Sequence, residues 1–278
     1  MNLSEQKRAL TVAVRAARAA GSLMRANLRE VKIVNEISAH DIKLELDVRC
    51  QKLITKILAA AFPEVALLGE EGDTGDQRAA NRWVVDPIDG TVNFSYGIPH
   101  ACVSIALQIK VERSAAKDKA RQGQGLGSGG DKYETIVGVV YDPFCDELWT
   151  AIRGHPARLN GRITRVSKRA ALRETIVSIG FAKTPANLER TLPYFNALVR
   201  RVRKIRLMGA AALGLTYVAS GRFDAYLERG IKLWDIAAGG LILECAGGEF
   251  WREPVAGRHT YRMIATNGLI RGKLARLR

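Results

Sequence analysis

Two aspartates three residues apart, Asp86 and Asp89, follow a short apolar run and flank a proline. Pro87 fixes φ and has no N–H to donate to a ladder, so we expect the apolar run to be a buried strand that ends there. Both carboxylates then lie within one tight turn and can converge on a hard divalent cation, while Ile88 between them offers its carbonyl oxygen. The segment therefore predicts a metal site made of oxygen ligands.

The next two residues, Gly90 and Thr91, can open a helix whose free N–H groups suit a phosphate. Metal ligands beside an anion site are the layout of a metal-assisted phosphatase. The simpler alternative is a common turn, in which either aspartate caps a helix or hydrogen-bonds to its own backbone. The segment alone leaves both interpretations open.

Three further acids are candidates for the same site. Glu70 follows a predicted short strand, Asp235 begins a helical stretch, and Asp47 lies on the second predicted helix. Each has an ordinary alternative when it is considered alone: a solvated loop carboxylate for Glu70, an N-cap for Asp235 and a surface acid for Asp47. The interpretation therefore depends on whether these acids occur together in a known order.

Taken together, these segments resemble the inositol monophosphatase family. The central motif of that family is similar to residues 83–94, which read Trp-Val-Val-Asp-Pro-Ile-Asp-Gly-Thr-Val-Asn-Phe. Its other metal-binding motifs are similar to residues 69–71 and 234–235, and the two acids of another family region match Asp41 and Asp47. Further similar segments are residues 139–143, 159–161, 221–228 and 244–248. The resemblance thus spans nearly the whole chain.

The resemblance implies a cluster of magnesium ions. One Mg²⁺ would be held by Glu70, Asp86 and the carbonyl of Ile88, and a second by Asp86, Asp89 and Asp235. A third, weaker ion would share Glu70 with water and phosphate, and Mn²⁺ is a possible substitute for Mg²⁺. Carboxylates packed this closely repel one another unless cations neutralise them, so such a site is costly without metal.

The resemblance also implies direct hydrolysis by water. Glu70 and Thr91 would position the attacking water, with Thr91 oriented by Asp47. Backbone N–H groups at Gly90 and Thr91 would bind the phosphate. No cysteine, serine or histidine nucleophile is required for this reaction.

The residues that face the substrate match the family less completely. Glu228 matches the family acid that binds a substrate hydroxyl, whereas Ala210 stands where the family usually has a serine or threonine, and Glu36 stands near a frequent lysine. The resemblance places seven residues at the substrate: Asp89, Gly90, Thr91, Gly209, Ala210, Ala211 and Glu228. The implied substrate is myo-inositol monophosphate or a similar small polyol or sugar phosphate. Histidinol phosphate, fructose-1,6-bisphosphate and phosphoadenosine phosphate are alternatives with the same chemistry.

The chain is strongly basic, with a net charge of +15. A basic surface attracts a phosphorylated metabolite, the partner we expect, but it attracts nucleic acid or an acidic protein equally. A binding protein that uses the phosphatase fold to contact RNA or a transcription complex is therefore the alternative from another functional class. No nucleic-acid-binding motif is visible, and a solvated basic face explains the charge more simply.

Other features limit the cofactors and the location. The four cysteines contain no Cys-x-x-Cys pair and the four histidines no His-x-x-x-His pair, so we expect reduced thiols and no zinc site. The first residues lack the apolar segment of a signal peptide, and no apolar run is long enough to cross a membrane. We therefore expect a soluble, cytoplasmic protein. The resemblance adds the expectation of a homodimer that lithium inhibits.

The hydrophobic pattern predicts helices over residues 5–28 and 42–62, followed by strands and helices that alternate without a regular βαβ rhythm. The glycine-rich residues 113–131 favour a flexible hairpin insertion. The fold class implied by the resemblance is α/β (α+β), a layered αβαβα sandwich. It would form a single domain with approximate halves 1–155, a helix pair on a large antiparallel sheet, and 156–278, a smaller mixed α/β half.

Overall fold

A computed structural model of the chain describes residues 1–37, 42–111, 133–181 and 185–277. The predicted glycine-rich insertion and Asp41 lie outside the described residues. Within them the chain forms two main sheets, of seven and five strands, and a short sheet of two strands. Helices cover and separate the two main sheets.

The first helix, α1 (Leu3–Asn27), begins with a capping box. The side chain of Asn2 accepts the N–H of Glu5, and the side chain of Glu5 accepts the N–H of Asn2. The buried face of α1 consists mostly of alanines, which allow a close approach to the second helix, α2 (Glu45–Ala61), and to the larger sheet. This is the predicted helix pair.

Between these two helices the chain forms a hairpin. Strands β1 (Val34–Ile37) and β2 (Ile42–Leu44) pair antiparallel. The prediction of a helix from residue 42 was therefore wrong for the three residues of β2, since α2 begins at Glu45. Backbone pairing with β1 overrides the helical periodicity of this short segment.

The larger sheet has seven strands that follow chain order. They are β3 (Ala66–Gly69), β4 (Asn81–Asp89), β5 (Cys102–Lys110), β6 (Tyr133–Asp142), β7 (Glu147–Ile152), β8 (Arg158–Leu159) and β9 (Arg162–Ile163). Neighbouring strands are antiparallel except β3 and β4, which run parallel. Since β8 and β9 belong to this sheet, it extends beyond residue 155.

The smaller sheet is mixed. Its strands are β10 (Ile176–Phe181), β11 (Lys204–Arg206), β12 (Ala225–Lys232), β13 (Glu249–Pro254) and β14 (Thr260–Thr266). They are arranged in the order β11-β10-β12-β14-β13, with β10 parallel to both its neighbours and β14 antiparallel to both of its own. The edge strands are therefore β11 and β13.

Among the described residues, five further helices connect and cover these sheets. They are α3 (Thr91–Ser95), α4 (Pro185–Val199), α5 (Ala211–Ala219), α6 (Leu233–Cys245) and α7 (Arg271–Ala275). Helices α5 and α6 share one apolar core with facing residues of both sheets. Gly138 on β6 permits the close approach of α6, because a Cβ there would lie 2.9 Å from the carbonyl oxygen of Ala238.

The outermost layer is formed by α4 and α7, which pack on the far face of the smaller sheet around Leu198 and Leu274. The order of layers is thus helix pair, larger sheet, α5 and α6, smaller sheet, and α4 and α7. This αβαβα sandwich confirms the predicted fold class. None of the described helices combines the length and the apolarity needed to cross a membrane.

Candidate active site

The strand that carries the two central aspartates, β4, does not end at Pro87. It pairs with β5 as far as Asp86, opposite Ser104, and pairs again at Asp89, opposite Cys102. Because Pro87 has no N–H for the ladder, the chain bulges between these two points and then rejoins the sheet. The predicted end of the strand at Pro87 is therefore wrong, and both aspartates lie on one bulged strand end.

Glu70 reaches the end of β4 from the neighbouring strand. Strand β3 runs parallel to β4, and the N–H of Glu70 donates to the carbonyl oxygen of Val85 at 3.2 Å. Gln51 on α2 holds the loop that follows. Its side chain accepts the N–H of Glu71 at 3.0 Å and donates to the carbonyl oxygen of Gly72 at 2.9 Å. The backbone that carries Glu70 is therefore anchored on both sides.

Four carboxylates influence one another at this point. Burial, followed by the charges of Glu70, Asp89 and Asp235, raises the pKa of Asp86 well above its usual range. Burial, followed by the charges of Glu70 and Asp89, raises the pKa of Asp235 in the same direction. Such mutual shifts require short separations. The fold thus gathers Glu70, Asp86, Asp89 and Asp235 into one cluster.

Asp89 joins the two halves of the fold. Its oxygens accept two backbone N–H groups at the start of α5, from Ala211 at 2.9 Å and from Ala212 at 2.7 Å. The Sγ of Cys102 lies 3.5 Å from Oδ2 of Asp89. Burial raises the pKa of Asp89 to about 6, although the N–H donors favour the charged form and oppose this shift. Asp89 and Ala211, both expected at the substrate, are thus in direct contact.

Asp47 and Asp235 occupy equivalent places on two helices. Each is the third residue of its helix and accepts the N–H of the residue that precedes the helix. The distances are 2.8 Å from the N–H of Leu44 to Asp47 and 2.9 Å from the N–H of Lys232 to Asp235. An acid in this position also favours the helix dipole. Asp235 is therefore not the N-cap residue, although it caps its helix from the third position. The surface alternative for Asp47 is wrong, because this side chain is buried.

Gly90 and Thr91 form the entrance to α3. Gly90 has a φ of 94°, and a Cβ there would lie 2.9 Å from the carbonyl oxygen of His100, so this turn requires glycine. Helix α3 begins at Thr91, whose hydroxyl donates to the carbonyl oxygen of Ile88 at 2.9 Å. The family resemblance predicts that the Thr91 hydroxyl is oriented by Asp47, but in this structure it donates to the carbonyl oxygen of Ile88. That carbonyl is itself an expected metal ligand.

The segment that leads into α5 lies against α3. Asn93 on α3 donates to the carbonyl oxygen of Met208 at 2.8 Å and to that of His100 at 2.9 Å. Gly209 follows with a φ of 73°, and Ala210, which is buried, precedes the first residue of α5. Asn93 therefore positions the N-terminus of α5 relative to β4.

Glu228 approaches the cluster from β12. The hydroxyl of Tyr226 donates to its carboxylate. Burial raises the pKa of Glu228 to about 7, and the charge of Asp89 adds to this shift. Gly180 stands opposite Glu228 on β10, and a Cβ on Gly180 would overlap the carboxylate. The position of Glu228 thus depends on a glycine in the neighbouring strand.

The donor chemistry of the cluster fits a hard cation. Its candidate ligands are carboxylate oxygens and the carbonyl oxygen of Ile88, the ligand type that Mg²⁺ and Mn²⁺ prefer over zinc-type nitrogen and sulfur donors. In the side-chain conformations of this structure, no group of three or more His, Cys, Asp or Glu residues among the described residues is arranged to hold a metal ion. Part of the set is held by backbone N–H groups, above all Asp89. Each oxygen of Asp89 accepts one N–H and retains a further lone pair that a cation could share.

The positioning roles of three residues were not predicted from the sequence, although Asn93 lies within the motif of residues 83–94. Asn93 and Gln51 act as described above, and Ser104 on β5 donates to the carbonyl oxygen of Trp234 at 3.0 Å, next to Asp235. The available signal for Ser104 was a single hydroxyl within the apolar strand of residues 102–107. For Gln51 the signal was a polar side chain on the inward face of α2. Buried polar groups of this kind require partners, which here are backbone groups of the site.

Comparison with known proteins gives a consistent result. Residues 5–115 and 131–270 match the sequence profile of the inositol monophosphatase family. The chain is 39% identical over 247 residues to the Nus factor SuhB of Xylella fastidiosa, which covers 87% of this chain and 81% of that protein. It is also 39% identical over 213 residues to the inositol-1-monophosphatase of Rhizobium meliloti, with 75% and 71% covered.

Structural comparison gives the same family. The crystal structure of the extragenic suppressor protein SuhB from Bartonella henselae matches with a TM-score of 0.82 and 34% sequence identity. The match covers 96% of each chain. The similarity therefore includes both main sheets and the helices between them.

Proposed function

Because the chain belongs to the inositol monophosphatase family and is a phosphatase, we propose that it is a Mg²⁺-dependent phosphomonoesterase. Its substrate is myo-inositol monophosphate or a similar small polyol or sugar phosphate. The observation that carries this proposal is the cluster of Glu70, Asp86, Asp89 and Asp235, in which burial and the neighbouring carboxylates raise the pKa of Asp86 and of Asp235. Like charges at this density are destabilising unless a proton or a cation neutralises them, and the donor set suits a hard cation.

The ligands follow from the family and from the donor set. One ion would be held by Glu70, Asp86 and the carbonyl of Ile88, and a second by Asp86, Asp89 and Asp235. Ions bound there supply Lewis-acid activation of water and neutralise phosphoryl oxygens. A third ion near Glu70 and replacement of Mg²⁺ by Mn²⁺ are part of the same proposal.

The residues of the chain then act on the water and the phosphate. Glu70 accepts a proton from the attacking water, which Thr91 orients once its hydroxyl turns from Ile88 towards Asp47. Backbone N–H groups at Gly90 and Thr91 bind the phosphate at the start of α3. The water oxygen bonds to phosphorus as the ester P–O bond breaks, and the leaving alkoxide takes a proton from solvent. The products are the alcohol and inorganic phosphate, with no covalent enzyme intermediate.

The alcohol is recognised from the second sheet. Glu228 accepts a substrate hydroxyl, and Asp89 together with the backbone of Gly209, Ala210 and Ala211 lines the same side. Because Ala210 has no hydroxyl, recognition depends on Glu228 and on backbone groups. The contact of Asp89 with Ala211 supports a single domain in which both sheets contribute to one site.

The proposal is tested by the release of phosphate from a panel of substrates. The panel contains myo-inositol 1-phosphate, histidinol phosphate, fructose-1,6-bisphosphate and phosphoadenosine phosphate, each with and without Mg²⁺. We expect Mg²⁺-dependent turnover that is fastest on the inositol ester, lost in Asp89→Asn and inhibited by Li⁺. Absence of Mg²⁺-dependent turnover on every member of the panel would contradict the proposal. A faster reaction on another member would identify one of the alternative substrates.

A second candidate function rests on the relatives named Nus factor SuhB. We propose that the chain also associates with a transcription complex, independently of its hydrolytic site. Size-exclusion chromatography with purified bacterial RNA polymerase tests this association. Co-elution that persists in Asp89→Asn supports it, and elution as separate species contradicts it. The same experiment with light scattering tests a homodimer, whose mass would be about twice the 30.5 kDa of one chain.

A further inference from the structure

The charge of the chain is distributed unevenly. Its 43 basic and 28 acidic residues divide into 20 and 20 within residues 1–155, and into 23 and 8 within residues 156–278. The whole net charge of +15 therefore belongs to the second stretch, and the first stretch is neutral. A generally basic composition does not produce such a division.

Much of this excess lies on the outer layer of the smaller sheet, which we define as residues 185–206 and 268–277. The outer layer has nine basic residues and one acidic residue, Glu189. Five of the basic residues lie in the turn after α4 and in the edge strand β11, and all five are exposed: Arg200, Arg201, Arg203, Lys204 and Arg206. No acidic side chain among the described residues pairs with any of these five.

A cavity of about 680 Å³ opens in the same layer, between α4 and α7. Its floor is apolar and includes Ile179, Leu227 and Leu274, while the rings of Tyr194 and Trp251 lie in its wall. Four arginines also line it: Arg190, Arg229, Arg262 and Arg271. A cavity of this size and composition suits a ligand with a flat apolar part and negative charge.

Two of these arginines face each other across the sheet. Arg229 on β12 and Arg262 on β14 are direct cross-strand partners, an arrangement that is unfavourable for like charges. Glu253 pairs with Arg262 at 3.0 Å and offsets one of the two charges. Arg229 and Arg190 have no acidic partner among the described residues. The cavity therefore contains arginines that an anion would stabilise.

We propose that the outer layer binds single-stranded RNA, with one nucleotide seated in the cavity and neighbouring phosphates on the basic run of residues 200–206. A free nucleotide explains the cavity but leaves the basic run without a role. The run begins ten residues along the chain from Arg190, which corresponds to roughly 15 Å of helix α4. An extended polyanion spans both features, and RNA is the one that also offers a base to the cavity. Aromatic rings beside arginines are the usual means by which bases of a single strand are bound.

The outer layer lies on the far face of the smaller sheet from the carboxylate cluster, and the two places share only Gly180 and Glu228, which also line the cavity. The inference also does not depend on association with a transcription complex. An acidic protein segment is the competing partner, and it differs from RNA because it offers no base to the cavity. These differences define the experiment.

The test is fluorescence anisotropy of a labelled single-stranded RNA of roughly 12 nucleotides, measured over a series of KCl concentrations. The test variant is Arg200→Ala, Arg201→Ala and Arg203→Ala combined. The matched control is Arg15→Ala, Arg25→Ala and Arg29→Ala, which removes three exposed charges from α1 and the turn after it. We expect the test variant to bind RNA about tenfold or more weakly, with a salt slope reduced by roughly 2. The control should stay within about twofold of the wild type.

The cavity is tested with two further probes, inorganic polyphosphate and polyglutamate. Wild-type protein should bind RNA about fivefold or more tightly than either probe at equal charge, because stacking adds to the phosphate contacts. Trp251→Leu should remove this preference and leave polyphosphate binding unchanged. Phosphate release should be unaffected in the triple variants, which shows that they are folded.

Two results would overturn the proposal. Equal loss of RNA binding in the test and control variants would mean non-specific attraction by net charge. Equal or tighter binding of polyglutamate would assign the outer layer to an acidic protein. Either result leaves the phosphatase activity as a separate question, because the variants do not touch its residues.

Discussion

The molecule has two regions in which like charges are gathered, and they differ in their surroundings. At the junction of the two sheets, Asp86 and Asp89 are buried and Glu70 and Asp235 are half-buried, and the neighbouring carboxylates raise the pKa of Asp86 and of Asp235. On the outer layer of the smaller sheet, basic side chains of residues 200–206 are exposed and stand apart from acidic partners. One region is acidic and shielded from water, and the other is basic and open to it.

Because their surroundings differ, repulsion between like charges destabilises the two clusters to different extents. Like charges in a poorly solvated place interact strongly, so the buried carboxylates destabilise the fold unless a cation is bound. Exposed cations are screened by water and salt, so their repulsion costs little. The acidic cluster therefore favours a bound cation, which is what we propose for it, whereas the exposed basic cluster favours a negatively charged partner.

The largest expected effect concerns the role of Glu70. Glu70→Gln removes a carboxylate from the buried cluster and should lower kcat/KM for phosphate release at least about 100-fold, as for the loss of a general base. Glu71→Gln is the matched control, because it makes the same chemical change one residue away. It should retain activity within about threefold of the wild type. Similar losses in both variants would remove the distinction between the cluster and its surroundings.

A smaller effect is expected where the buried cluster is held together. Asn93→Ala removes two hydrogen bonds that connect α3 to the segment before α5. It should lower the free energy of unfolding by about 1–3 kcal/mol in chemical denaturation, because two carbonyl groups lose their donor. Ser95→Ala, which removes a bond within the same helix, should change it by less than about 0.5 kcal/mol. Equal values would show that Asn93 does not position the site.

The role of Glu228 in substrate recognition is tested by adding one methyl group at Gly180. In Gly180→Ala the new Cβ overlaps the carboxylate of Glu228 and must displace it. KM for the inositol ester should rise about tenfold, while the Mg²⁺ concentration for half-maximal activity stays unchanged. Gly272→Ala is the control, since a Cβ there meets no atom within 4 Å. An unchanged KM in Gly180→Ala would remove Glu228 from substrate recognition.

The smallest effect is expected on the outer layer. Arg201→Gln removes one exposed charge, and the free energy of unfolding should change by less than about 0.5 kcal/mol. A stabilisation above about 1 kcal/mol would mean that this region is strained by its own charge. The basic cluster would then be destabilised by repulsion between its like charges, as the acidic cluster is.

The fold was largely predictable from sequence patterns, with two local exceptions. The helical periodicity after residue 42 and the proline at position 87 both led to wrong boundaries. In each case pairing with another strand decided the structure. Residues 42–44 pair with β1, and Asp89 resumes the pairing of β4 with β5. Local pattern does not contain this information, because the partner strand lies elsewhere in the chain.

The acids of the site were identifiable from their motifs, but the groups that hold them were not. The bonds from Asp89 to the N–H groups of Ala211 and Ala212 connect residues more than 100 positions apart. Asn93 was part of a motif, yet its partners lie in the loop before β5 and near α5. Residue types indicate the chemistry of the site, whereas these long-range contacts with the backbone depend on how the two sheets pack together.

The central claim is that the buried carboxylates form a cation site, and thermal unfolding with and without Mg²⁺ tests it most directly. Saturating Mg²⁺, at about 100 times its dissociation constant, should stabilise the wild type by about 2.7 kcal/mol. Asp86→Asn removes the carboxylate that both ions are expected to share. The metal-free variant should therefore be more stable than the metal-free wild type, and Mg²⁺ should stabilise it much less. Equal stabilisation of both proteins by Mg²⁺, or none in the wild type, would contradict the account.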